Sequence, residues 1–132
     1  MNDGARAVLE GVLKPFPDAD QSVLVVWIAM MGGDNPESAQ KAAAKFSDDR
    51  VTHFFDPKQT AGKAFAASLG HGDEIAWDFY FFYPAGAEWG ELPPEPEVWM
   101  HQLSGGWADD EHLFERKKLT KKLAGTMKSL FA

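Results

Sequence analysis

Ile75-Ala-Trp-Asp-Phe-Tyr-Phe-Phe-Tyr83 carries six aromatic side chains and one carboxylate in nine residues, with apolar rings on both alternating faces. Rings at successive positions are buried together only when both faces of a sheet are covered, so the stretch predicts an interior strand with helices above and below. Asp78 is its exception, a charge set among rings.

Downstream, residues 84–96 hold four prolines and read as a long loop, after which Val98-Trp-Met-His-Gln-Leu103 resumes as a strand, antiparallel to the first. Upstream, Val51 to Phe55 reads as a short strand. Asp56-Pro57 then opens a helix to Leu69, closed by Gly70. Val23 to Met30 is continuously apolar and predicts a buried strand. Gly32-Gly33-Asp34-Asn35-Pro36 follows, with Asn35 as N-cap and Pro36 at the first helical position. Residues 4–14 read as a helix stopped by Pro15 and Pro17. Leu119, Leu123, Met127, Leu130 and Phe131 give one apolar face to a C-terminal helix of about four turns. The order is helix, strand, helix, strand, helix, strand, strand, helix, which favours a parallel pair followed by a hairpin.

The 132 residues fit one domain, 1–132, and the apolar (45%) and charged (25%) fractions are those of an ordinary soluble globular protein. There is no cysteine, which removes disulfides, thiolate catalysis and zinc-thiolate sites from this chain. A net charge of -7 argues against a duplex nucleic-acid partner. The six basic residues from Arg116 onward read as the solvent face of the last helix. The longest apolar run, Val23 to Met31, is about half of a membrane span, so no membrane partner is expected and the location is read as cytoplasmic.

The element order resembles the thioredoxin-like fold. The segment Val51-Thr-His-Phe-Phe-Asp-Pro-Lys-Gln-Thr-Ala-Gly-Lys-Ala-Phe-Ala-Ala-Ser-Leu-Gly70 is similar to one in membrane-anchored thiol reductases and peroxiredoxin-like proteins, where a strand ends in Asp-Pro and a helix leads to a glycine loop. Trp77 to Tyr83 with Pro84-Ala85-Gly86 is similar to the family's next strand and turn. Over residues 20–131 the resemblance implies a three-layer α/β/α sandwich, with a central mixed sheet of about four strands, a C-terminal β-hairpin and a helix. The family's chemistry needs cysteine at a helix N-terminus, where amides and dipole stabilise the thiolate. Here there is none, and Ile75-Ala76-Trp77 stands where the family places a proline, so thiol-disulfide exchange is not implied.

Two registers fit the resemblance. In the first, which is preferred, Val23 to Met30 is the central strand and Met31 to Asp34 replaces the cysteine motif. In the second, residues 4–14 are the active-site helix and the central strand is not in this chain.

The resemblance places Met31, Gly32, Gly33, Asp34 and Asn35, with Trp77 and Asp78, along a groove for a ligand or partner. Glycines 32 and 33 lack the spacing of a nucleotide-binding fingerprint, and an ordinary tight turn with a capped helix is the favoured reading of them. Trp89, Trp99 and Trp107 frame the proline-rich loop and the Gly105-Gly106 turn, and form the second candidate, an interaction loop, since tryptophan is enriched among interface anchors. His53, His71 and His101 are scattered without metal-ligand spacing, so no metal or other cofactor is expected. The expected function is a cysteine-free, non-catalytic binding or interaction domain for a protein or peptide. The alternative is a relative of thiol-disulfide oxidoreductases whose cysteines lie upstream or on a partner.

Overall fold

The computed structural model describes residues 2–131. In it the chain forms α1 (Asn2–Val8), a π-helical turn (Leu9–Leu13), β1 (Val23–Ile28), α2 (Pro36–Ala44), β2 (Val51–Asp56), α3 (Thr60–Ser68), β3 (Phe79–Phe82), β4 (Val98–His101), a 3-10 turn (Asp110–His112) and α4 (Arg116–Phe131). The order of strands and helices is the one the sequence predicts. The sheet is not.

β1 pairs with β2 and β3 with β4, in two separate two-stranded sheets. The first pair is parallel: Val23 N–H donates to Arg50 O at 2.8 Å and Ala29 N–H to Asp56 O at 3.1 Å, so the partners ascend together. The second is antiparallel, with Phe79 opposite His101 and Phe82 opposite Val98. A three-layer thioredoxin-like sandwich on a four-stranded central sheet is therefore not what this chain forms, and the register that made Val23 to Met30 the centre of such a sheet falls with it.

The expected nine-residue strand shortens for identifiable reasons. Ile75 O accepts the Trp107 indole N–H at 3.1 Å, and Ala76 N–H donates to Gly62 O at 2.9 Å, so this backbone is bonded to other segments. Asp78 then adopts φ 58°, a left-handed conformation that interrupts an extended path. Only Phe79 to Phe82 pair, and each remains partly exposed rather than covered on both faces.

The chain divides into two compact units: one holds the N-terminal segment to Trp27, Met31–Phe55 and the segment from Glu115; the other holds Ile28–Met30 and Asp56–Phe114. In the first, α1 and the π turn pack on α4. Leu13, Leu119, Leu123 and Met127 are almost fully enclosed there. Gly11 allows the approach: a Cβ at that position would stand 2.7 Å from Thr120 O and 3.0 Å from Leu123 Cβ. Arg50 closes the end of the turn by donating to Phe16 O (2.8 Å) and Leu13 O (3.1 Å) while paired with Asp48 at 3.0 Å. Asn35 caps α2 through a reciprocal capping box with Ser38, as its sequence predicts.

In the second unit, the cap of α3 differs in detail from the expected cap-then-proline start. Pro57 lies in the preceding turn rather than at the first helical position, and Gln59 adopts φ 61°. The Asp56 carboxylate spans this turn, accepting from Thr60, Ala61 and Gly62 N–H at 2.9, 2.8 and 3.3 Å. Three otherwise free amides at the helix start are thereby satisfied.

Candidate functional site

Alternation along β3 and β4 decides what the second unit presents. Phe79, Phe81 and Tyr83 fall on one face, and their cross-strand partners Trp99 and His101 share it. The rings form a continuous stack. Phe79 lies 5.6 Å from Phe81, 5.8 Å from Trp99 at 8° and 5.1 Å from Trp107 at 14°. Further along, Tyr83 meets Trp89 at 5.0 Å, and Phe65 of α3 stacks on Phe81 at 4.9 Å.

His101, fully buried, fixes the loop that follows β4. Its Nδ1 accepts Leu103 N–H at 3.0 Å, so the ring proton is on Nε2, which donates to Asp109 O at 2.6 Å. Asp109 in turn caps the 3-10 turn, its Oδ1 accepting both His112 N–H (2.9 Å) and His112 Nδ1–H (2.6 Å). The His112 side-chain hydrogen bond holds the Asp109 carboxyl below the usual carboxylate range, against a smaller opposing effect of burial. The same imidazole lies flat on Trp99, 3.7 Å between ring centres at 8°.

Beside this arrangement is a pocket of about 410 Å³ lined by Ser68, Leu69, His71, Glu95, Trp99, Trp107, Ala108 and Asp109. Trp107 is held in it by its bond to Ile75 O, with His71 tilted against the indole at 4.8 Å. The volume lies within the range of small-ligand sites.

Of the three tryptophans of the expected interaction loop, Trp99 and Trp107 share this pocket. Trp89 does not line it; half exposed, it packs on Tyr83 and edge-on to Phe65. The expected groove is divided between units, Met31 to Asn35 in the first and Trp77 with Asp78 in the second. Met31 is exposed, its N–H donating to Asp34 Oδ2 at 2.8 Å. Glycines 32 and 33 have nothing within 4 Å of a Cβ position. Asn35 is engaged as a helix cap. Trp77 and Asp78 are half-buried, and Asp78 O accepts Gln102 N–H at 3.1 Å.

His53 receives the Trp27 indole N–H on Nδ1 (3.1 Å) and donates from Nε2 to Phe46 O (2.9 Å), so both its nitrogens, like those of His101, are occupied by protein partners. Among the described residues no group of three metal-ligating side chains lies together, and no helix is long and apolar enough to cross a membrane.

Sequence reasoning did not single out Glu95 or Asp109 as pocket residues. For Asp109 a signal existed: Asp109-Asp110-Glu111-His112 has an N-cap residue three positions before a histidine able to bond it.

The chain matches no protein-family model, no curated protein and no solved structure. Its functional reading therefore comes from the geometry of the site.

Proposed function

We propose that this chain is a non-catalytic binding protein whose ligand, a small molecule or one side chain of a peptide, enters the pocket between Trp99 and Trp107. The observation that carries this reading is the pocket itself, in which the Trp107 indole is held by a part-buried hydrogen bond and the Trp99 indole by ring stacking while the cavity beside them stays open. Concave sites that combine aromatic walls with a few polar groups are the usual form of ligand sites.

The Asp109–His112 pair does not add a catalytic reading. Asp109 bonds the backbone and side chain of a residue three positions on, which is the geometry of a capped turn. Thiol chemistry has no residue in this chain to carry it. Cytoplasmic residence belongs to the same proposal and is supported by the ordinary soluble composition.

The test is a survey of small fragments, cationic, anionic and neutral, by two-dimensional NMR on the full chain. Fragments should shift the resonances of Leu69, His71, Trp99, Trp107 and Ala108 together. If every fragment that binds maps away from these residues, the reading is wrong.

A further inference from the structure

The polar groups of the pocket are unbalanced in sign. Glu95 and Asp109 line it, both exposed toward solvent, and neither Lys nor Arg does. Trp107 has committed its one N–H to Ile75 O, so its indole offers ring surface rather than a donor. Asp109 and Trp99 are joined through His112, whose imidazole covers one face of the indole and donates to Asp109 Oδ1, so the carboxylate is held at a fixed place beside the ring with its second oxygen left for a ligand.

The ligand that suits ring faces and carboxylates, and asks for few hydrogen bonds, is a cation whose charge is spread over methyl groups. Such a group brings no N–H that the pocket must satisfy, and its charge meets carboxylates that stay partly in water, avoiding the cost of burying a bare ion. His71, the lining side chain able to carry positive charge, is packed against Trp107.

Resting on the pocket reading above, we propose that the site takes an alkylammonium head group, held against the rings of Trp99 and Trp107 and neutralised by Glu95 and Asp109. The head group can come from a free small molecule or from a methylated lysine side chain. The two sources share this chemistry.

The experiment titrates the full chain with choline, with its uncharged isostere 3,3-dimethylbutan-1-ol, and with the amide of Nε-trimethyl-lysine, following the pocket resonances by NMR. At least one of the cations should bind about tenfold more tightly than the isostere. That ratio should fall in the Glu95→Gln, Asp109→Asn double variant, where the rings alone still favour the cation and Asn preserves the cap of the 3-10 turn, and an unchanged ratio overturns the role of the two carboxylates. The tighter of the two cations identifies the source. Binding of the isostere as tight as that of both cations overturns the charge inference while leaving the pocket reading intact. Absence of pocket shifts with all three compounds also overturns it, and the broader fragment survey then decides separately whether the pocket binds anything.

Discussion

The two units of this molecule solve the burial problem differently. In the first, Leu13, Leu119, Leu123 and Met127 are at most 2% exposed, and a glycine lets backbone approach backbone. In the second, Phe79, Phe81, Trp99 and Trp107 stack on one another but all remain half-buried. Aliphatic and thioether chains stabilise by filling volume and keep no face for another molecule. Aromatic rings gain about 0.5–1.5 kcal/mol per pair from stacking beyond area burial and still leave edges and faces open. The first unit is thus built for enclosure, and the second combines order with an accessible surface.

The sharpest way to break this contrast is Leu123→Ala. Leu123 is fully enclosed, and the truncation removes its burial and leaves a cavity, so a loss of about 2–5 kcal/mol is expected in urea unfolding. A loss below about 1 kcal/mol would mean that the first unit repacks freely and is no more enclosed than the second.

His101→Leu addresses the polar side of the second unit. Leu103 N–H and Asp109 O lose their partners together, at an expected cost of about 1–3 kcal/mol for each buried group left unsatisfied. Because Asp109 leads into the 3-10 turn that carries His112, the variant should also disturb the environment of Trp99, read as a change in tryptophan fluorescence under native conditions. An unchanged spectrum with unchanged stability would show that the ring stack, rather than the histidine, holds the pocket wall.

Gly11→Ala tests enclosure from the opposite direction. The added methyl meets Thr120 O and Leu123 Cβ at separations that require the helices to move apart, and overpacking of this kind costs about 1–3 kcal/mol. The same substitution at Gly125, where nothing lies within 4 Å, is the control and should not be destabilising.

The parts of this picture that were legible in the sequence are the local ones. The capping of α2 by Asn35, the hairpin partnership of β3 and β4, and the buried stripe Leu119, Leu123 and Met127 follow from turn chemistry and periodicity within a few residues. The partition into two sheets was not legible. Nor was the shortening of the aromatic strand, where the indole of Trp107 reaches Ile75 O across 32 residues and Asp78 takes a left-handed conformation, neither of which leaves a mark in the stretch Ile75 to Tyr83. Trp99 and Trp107 stood out as candidates because tryptophan is enriched among interface anchors. Glu95 and Asp109 did not, because exposed acids in a proline-rich or turn segment look like solvated surface until a fold places them beside an indole.

The smallest expected effect belongs to Tyr83, which sharpens the comparison at one atom. Its ring lies in the half-exposed aromatic stack, yet its hydroxyl is shielded and has no hydrogen-bond partner among the described residues. Burial pushes its ionisation up from the ordinary 10.0 to about 12. Below pH 10 the folded and unfolded chains both keep this proton, so the group gives no pH dependence. Between pH 10 and about 12 the unfolded chain releases the proton first, and stability must fall across that window. Tyr83→Phe removes the unpartnered hydroxyl and leaves the ring. At pH 8 the variant should match the wild type or exceed it by about 1 kcal/mol at most. At pH 11 it should be relatively more stable, because every other group is common to both proteins and cancels from the difference. Parallel urea midpoints at the two pH values would show instead that water reaches the hydroxyl, and that the second unit is open at this end of its ring stack as well as at the tryptophan pocket.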